Sequence, residues 1–320
     1  LLMILKSADC HDAKRESPWT DLARRLDAPA AVNPMPKPRP RPSRDLRPRA
    51  LSVTRIETLI RDPYAIYARH VLQLEPVKPV SAMPDAARRG IIIHGAIGDF
   101  LSAYPADLPA DIRAELERFG KQHFKQIADY PGLVSFWWPR FLRAADWFAA
   151  AEPEFRAGVE RVLSEESGAI DLPVAGENFR LSCRADRIDL MADGTARITD
   201  YKTGKEPSNT QVEKGLAPQL TLQAAILRNG GFGTDRTRPV SQLVYVRMSG
   251  GHRPGEEKPL KADVAALAAA HLEGLQQLLT AYARESQAYF PRAMMEREED
   301  AGDYDHLSRF REWTLSGDLP

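Results

Sequence analysis

Arg184-Ala-Asp-Arg-Ile-Asp-Leu-Met-Ala-Asp-Gly-Thr-Ala-Arg-Ile-Thr-Asp-Tyr-Lys-Thr-Gly204 consists of two runs of alternating side chains around Ala192-Asp193-Gly194, the pattern of a β-hairpin. The second run ends in Asp200-Tyr201-Lys202. Residues two apart on a strand point the same way, so Asp200 and Lys202 share a face and Tyr201 takes the other. Asp186 lies on the facing strand. Two carboxylates and an ammonium converging at a strand end make a poor core and a good divalent-metal site.

The register follows from the turn. If Ala192-Asp193-Gly194 is a three-residue loop, Gly194 takes the left-handed conformation that such loops need. Asp186 then faces Asp200, Ile188 faces Ile198 and Asp189 faces Arg197. Aliphatics pair, opposite charges pair, and the two acids land side by side. A two-residue Asp-Gly turn is the stronger local signal, but it slips the register by one and puts Asp186 and Asp200 on opposite faces. The three-residue loop is the preferred reading.

With 320 residues and 43% hydrophobic content, the chain can bury one large core, or one core with appendages. It contains no apolar run of the roughly 18 residues that a membrane span requires. Leu1-Leu-Met-Ile-Leu5 lacks the basic flank and cleavage site of a signal peptide. The first residue is not Met, which suggests a piece of a longer protein. Two cysteines, Cys10 and Cys183, give neither a disulfide framework nor a CxxC site, and a reducing cytoplasm is the simplest setting. The 44 basic and 44 acidic residues cancel, so composition does not supply the basic balance usual in a nucleic-acid binder. Thr203-Gly204-Lys205 lacks the Gly-x-x-x-x-Gly-Lys-Thr frame, which excludes an ATPase motor.

Residues Ser17 to Leu26 are predicted to form a short helix. From Pro29 to Pro48, seven prolines interleave with arginines, favouring an extended polyproline linker. Lys37, Arg39, Arg41, Arg44, Arg47, Arg49 and Arg55 are opposed there only by Asp45; they are either the charges of a solvated linker or an arm that tracks phosphates. Thr54-x-x-Glu57 reads as a capping box, and Asp62 before Pro63 as the cap of a second helix. A helical run from Asp85 to Leu101 carries His94, whose neighbours Ile97, Gly98 and Leu101 place it on the buried side. By position alone it is a core histidine. Pro109 to Phe155 reads as helical and rich in aromatics, and Val159 to Glu166 and Asn178 to Asp189 as strands. Thr210 to Arg228 reads as one helix bearing Gln219, and Ser241 to Arg247 as a strand. Ala262 to Ala288 reads as a long helix with a stripe of Val264, Leu267, Leu275, Leu278 and Tyr282.

Asp186 and Asp200-Tyr201-Lys202, with Gln219 after them and His94 in Arg89-Gly-Ile-Ile-Ile-His94 before them, resemble the RecB-type PD-(D/E)XK nucleases. The stretches Leu51-Ser-Val-Thr-Arg-Ile-Glu-Thr-Leu-Ile-Arg-Asp-Pro-Tyr-Ala-Ile-Tyr-Ala-Arg-His70 and Asp303-Tyr-Asp-His-Leu-Ser-Arg-Phe-Arg-Glu-Trp313 resemble the C-terminal nuclease domain of AddB-type subunits of helicase–nuclease complexes. Asp-x-Lys alone is a weak signal; the ordered set is a strong one.

The resemblance implies an α/β fold, a restriction-endonuclease-like core in which a small mixed sheet is flanked by helices, with an additional N-terminal helical region. It implies a tail of a preceding domain at 1–27, a linker at 28–50 and the nuclease domain at 51–320. Asp186, Asp200, Lys202 and Gln219 become the catalytic set. His94, Asp186, Asp200 and the Tyr201 carbonyl become ligands of Mg²⁺ or Mn²⁺. Arg184, Lys205 and Arg55 are candidate DNA contacts. The implied activity is a metal-dependent exonuclease acting in double-strand break repair, on a single strand fed to it by an AddA-like helicase partner. A free-standing RecB-like nuclease and an inactive DNA-binding domain are the alternatives; intact Asp186, Asp200 and Lys202 speak against the latter. The sequence departs from the family twice. Gln223 stands where Tyr is usual, and the cysteines that hold an iron–sulfur cluster in many AddB-type domains are missing, so no cluster is expected.

Overall fold

The hairpin forms in the three-residue register. Ile188 pairs with Ile198, Asp189 with Arg197 and Leu190 with Ala196. Met191 N–H donates to Thr195 O at 2.9 Å, closing the loop over Gly194 at φ +82°, where a Cβ would be strained. Asp193 Oδ1 accepts from the Thr195 amide at 2.9 Å and its hydroxyl at 2.7 Å. The short Asp-Gly turn loses because only the longer loop keeps both isoleucines in the core.

The computed structural model describes residues 18–27, 35–77, 83–294 and 302–315. Cys10, the start of the N-terminal helix reading and Pro29 to Pro34 of the proline-rich stretch lie outside them. In chain order the elements are α1 (Pro18–Asp27), β1 (Ala50–Ser52), α2 (Val53–Arg61), α3 (Pro63–Ile66), α4 (Ala86–Ala103), α5 (Ile112–Phe124), α6 (Pro131–Phe155), β2 (Val159–Val174), β3 (Glu177–Met191), β4 (Ala196–Lys202), α7 (Asn209–Glu213), α8 (Gln219–Arg228), β5 (Val240–Met248), β6 (Gly255–Pro259), α9 (Val264–Tyr282) and α10 (Phe310–Leu315). Contacts divide the chain into residues 38–308, which hold the sheet, and a small unit of residues 1–37 and 309–320. In the small unit the Phe310 and Trp313 rings meet edge-on at 5.1 Å.

The sheet is mixed, in the order β1-β3-β4-β5-β6, with β2 along the other edge of β3. Antiparallel pairs join β2 to β3, β3 to β4 and β5 to β6, whereas β1–β3 and β4–β5 are parallel. The parallel β4–β5 step requires a crossover, which α7 and α8 provide. Helices cover both faces. On one face α2, α8 and α9 pack on Ile188, Ile198, Leu243 and Tyr245. On the other, α4, α5 and α6 pack on Tyr201, Val244, Val246 and Met248. Successive residues of β4 and β5 therefore enter different cores, which is why these strands read as continuous buried runs. Among the described residues no helix is long and apolar enough to cross a membrane.

Several local expectations change. The single helix expected over Thr210–Arg228 is two, because Gly215 turns left-handed at φ +71° and Pro218 cannot continue a helix. Gln219 thereby opens α8. Ser52, not Thr54, caps α2, accepting from Arg55 N–H. Asp62 precedes α3 without a side-chain cap bond; its Oδ1 accepts from Arg292 N–H at 3.1 Å instead. The long C-terminal helix is shorter, Val264–Tyr282, because Arg47 ends it: the guanidinium donates to the carbonyls of Tyr282 (2.7 Å), Glu285 (3.0 Å) and Gln287 (3.2 Å). Arg44 and Arg49 both pair with Glu177, so three arginines of the basic stretch are engaged by the fold. β1 and β6 were not legible as strands; each is short.

A cluster of charges lies fully inside. Arg187 is 1% exposed; its Nη1 donates to Glu152 Oε2 and its Nε to Asp189 Oδ1, each at 2.6 Å. Nη1 also reaches the Tyr201 hydroxyl at 3.2 Å, while Nη2 lacks a partner. Arg156 and Arg197 take the remaining oxygens of the two acids. Removing one member of such a group strands the others. Arg187→Ala is therefore expected to lower unfolding free energy by about 3–5 kcal/mol. Arg180→Ala, at an exposed pair with Asp171, is expected to change it by under about 1 kcal/mol. Urea denaturation checks both.

Candidate active site

β3 and β4 part beyond the Arg187–Thr199 pair, and the Asp186 side chain fills the gap. Its Oδ2 accepts the Tyr201 backbone N–H at 2.9 Å, taking the place of a ladder carbonyl. Asp200, 2% exposed, accepts from Gln219 Nε2 on Oδ1 at 2.6 Å. Lys202 Nζ lies 2.8 Å from Asp200 Oδ2 and donates to Gln219 Oε1 at 3.3 Å. The amide thus bridges acid and ammonium, which fixes which end is nitrogen. His94 comes from α4, its Nδ1 3.6 Å from Asp186 Oδ2, too long for a hydrogen bond. Gly90 lets α4 approach this strand end, since a Cβ there would lie 2.9 Å from Thr203 Oγ1.

His94, Asp186, Asp200, Tyr201, Lys202 and Gln219 are therefore brought together. Arg184 lines the adjoining cleft. Arg55 lies elsewhere, on α2, where its charge acts on His70 and Tyr304. Lys205 is exposed. Gln223 is buried, and its Nε2 donates to Arg184 O at 3.3 Å, bracing β3 just before Asp186.

The electrostatics are those of a site holding charge in excess of its solvation. Burial first, then the neighbouring Glu165, pushes the Asp186 carboxyl up to about 6, against the Tyr201 amide and Lys202. Burial and then Asp186 push Asp200 up to about 6 as well, against Lys202. Burial lowers the pKa of His94, leaving a neutral imidazole with a lone pair. Burial also works against the Lys202 ammonium, but Asp200 and Asp186 outweigh it and raise its pKa. The two acids thus favour the ammonium form of Lys202.

This donor set fits a hard divalent cation. Asp200 Oδ2 is buried, with the Lys202 ammonium 2.8 Å away and no further partner. An unused lone pair in the interior is unfavourable and is a natural ligand for Mg²⁺ or Mn²⁺. Among the described residues no three His, Cys, Asp or Glu side chains enclose an ion by themselves. Mg²⁺ sites use one or two carboxylates and keep several waters, a requirement for which Asp186 and Asp200, with His94 and the Tyr201 carbonyl, are the candidate ligands.

The cleft beside these residues has a volume of about 650 Å³ and is lined by His94, Asp186, Arg184, Glu165, Asp99 and Thr203, among others. Sequence reasoning missed Glu165, because nothing in its strand pattern sets it apart from its neighbours.

Both acids titrate above the unfolded value of about 3.9. Each therefore contributes stability below about pH 4 that is lost as pH rises through about 6. Asp186→Asn keeps an acceptor for the Tyr201 amide and removes the charge. In metal-free buffer at about pH 7.5 it is expected to exceed the parent in stability by on the order of 1–3 kcal/mol, and to match it at about pH 4. Thermal melts of both proteins across that range provide the check.

A profile of the PD-(D/E)XK nuclease superfamily matches residues 50–300. An uncharacterized protein of Rickettsia bellii (strain RML369-C) is 30% identical over 187 residues, 58% of this chain and 22% of that protein. Uncharacterized protein RT0391 of Rickettsia typhi (strain ATCC VR-144 / Wilmington) is 31% identical over 190 residues, with the same two coverages. An ATP-dependent helicase/deoxyribonuclease subunit of Streptococcus equi subsp. zooepidemicus (strain H70) is 28% identical over 193 residues, 58% of this chain and 17% of that protein. The chain spans less than a quarter of the length of these relatives. Matched over most of its length, and with the paired acids, lysine and glutamine at one strand end, the chain belongs to the PD-(D/E)XK nuclease superfamily.

Proposed function

We propose that this chain is the nuclease domain of an AddB-type helicase–nuclease subunit, hydrolysing phosphodiester bonds of one DNA strand as an exonuclease during double-strand break repair in the cytoplasm. The observation that carries this reading is the buried Asp200, held together with Lys202 by Gln219, beside the half-buried Asp186. The similarity to a helicase/deoxyribonuclease subunit supports an AddA-like partner that unwinds duplex and feeds the strand, the 5′-ended one by resemblance. In this reading residues 1–27 are the tail of a preceding domain, 28–50 a connecting segment whose Arg44, Arg47 and Arg49 are docked on the fold, and 51–320 the nuclease domain.

The division of labour follows from the charges. Mg²⁺ or Mn²⁺, when held by Asp186, Asp200, His94 and the Tyr201 carbonyl, supplies Lewis acidity at the scissile phosphate. Lys202, kept as an ammonium, stabilises negative charge that builds on the phosphate oxygens in the transition state. Gln219 fixes the direction of Lys202 and takes no proton. Zero net charge gives weak long-range capture of DNA, so the isolated chain is expected to act on single strands and to cut blunt duplex poorly without its partner.

Asp200→Ala removes a metal ligand, so both Mn²⁺ binding and cleavage of single-stranded DNA are expected to fail. Lys202→Ala leaves the acids in place. Metal is expected to bind while kcat drops by orders of magnitude, because only transition-state stabilisation is lost. Calorimetric Mn²⁺ titration beside an oligonucleotide cleavage assay separates the two. Cleavage by Asp200→Ala at the parental rate would refute the assignment.

The chain is also expected to carry no iron–sulfur cluster. Cys183 is buried, and burial pushes its thiol up to about 12, away from the thiolate that iron requires. Visible absorption by anaerobically purified protein would contradict this.

A further inference from the structure

The sheet is interrupted directly opposite Asp186, and we propose that the interruption is a positioning device: Glu165 holds the Arg184 guanidinium over the cleft, where it grips a backbone phosphate of the strand being cut. This inference rests on the nuclease reading of the same site.

β2 and β3 keep one antiparallel register from Arg161 to Val174, yet the ladder passes from Ser164–Arg187 to Glu166–Ala185 and omits Glu165–Asp186. Glu165 stands at φ +53°, a left-handed conformation that strains a residue with a Cβ. The pleat reverses at the same place. On β3 the residues facing the first core are Phe179, Leu181, Cys183 and Ala185, and then Ile188 and Leu190; on β2 they are Leu163, and then Ile170, Leu172 and Val174. Both strands change phase across the Glu165–Asp186 step. Smooth twist does not do this; a paired kink does.

The kink delivers Glu165 to α4. Its side chain lies on Gly98, where a Cβ would sit 3.0 Å from Glu165 Cγ and 3.2 Å from Oε1. Ser164 Oγ donates to Gly98 O at 3.1 Å, fastening the kink one helical turn beyond His94. From there Glu165 engages Arg184 twice: Oε2 lies 2.9 Å from Nε, and Nε donates to Glu165 O at 3.2 Å. Both contacts use Nε, so the two Nη donors remain for a ligand, and the side chain is 66% exposed. Glu165 and Arg184 line the cleft together with His94 and Asp186.

An exposed ion pair contributes little stability to set against the backbone strain at Glu165. The strain is instead matched by what it places: a forked donor, fixed at its root, beside the acids of the site. The planar fork suits the non-bridging oxygens of a phosphodiester, which it can bind bidentately.

The test uses the full chain, Mn²⁺ and a single-stranded oligonucleotide, with kcat and KM measured separately for the parent, Arg184→Ala, Glu165→Gly, Glu165→Gln and the double variant Arg184→Ala/Glu165→Gln. Glu165→Gly relieves the left-handed strain, so it is expected to melt no lower than the parent while KM rises roughly 10-fold, the loss of one charge-assisted contact. Arg184→Ala is expected to raise KM by a similar factor, with kcat changed less than about 2-fold, and the double variant to be no worse than Arg184→Ala alone. A parent that cuts no DNA overturns the nuclease reading and this inference with it. A parent that cuts, with Glu165→Gly and Glu165→Gln leaving KM unchanged or with the two sites contributing additively, overturns the inference alone.

Discussion

Arg187 carries its charge where water does not reach, and the site is held in place by the way that charge is met. Glu152 from α6 and Asp189 from β3 neutralise it, and the Tyr201 hydroxyl from β4 completes the contact. Because strand side chains alternate, pinning the phenol of Tyr201 on one face orients Asp200 and Lys202 on the other. The Tyr201 amide is pinned as well, by Asp186 Oδ2. One residue is thus fixed at its ring and at its backbone, and its two neighbours are the acid and the ammonium of the site. Such a buried group is not a source of stability in itself. What it contributes here is orientation, since it ties Glu152 on α6 and Asp189 on β3 to Tyr201 on β4.

The strand end is also where two helical layers meet. Gln219 comes from the layer over one face, and His94 from the layer over the other. Only at the exit of β4, beyond the last pair of the β3–β4 ladder, can side chains from both layers approach the same carboxylates. Each layer needed a local break or thinning to arrive there. Gly215 and Pro218 interrupt the helix and start α8 at Gln219, while Gly90 brings the backbone of α4 against Thr203.

The cost of this convergence is concentrated in Asp186 and Asp200, both pushed up to about 6 chiefly by burial. Lys202 relieves part of the conflict but does not saturate Asp200 Oδ2. The site is under-neutralised as it stands, which is the electrostatic state that a divalent cation corrects.

The hairpin and its register were determined by sequence alone, because alternation and the αL requirement at Gly194 are properties of neighbouring residues. The order His94, Asp186, Asp200-Tyr201-Lys202, Gln219 likewise carried the family resemblance without any coordinates. Tertiary structure decided the rest. It turned Arg44, Arg47 and Arg49 from a linker's charges into contacts of the fold, because Glu177 and the carbonyls at the end of α9 come from more than a hundred residues away. It placed the buried charge of Arg187 between partners that no local pattern links. It also kinked β2 and β3 at Glu165 and Asp186, where the core residues of β3 pass from odd positions (Phe179, Leu181, Cys183, Ala185) to even ones (Ile188, Leu190). Periodicity reports which side of its own strand a residue occupies; which charges face each other, and where a strand must bend, depend on packing between segments distant in the chain.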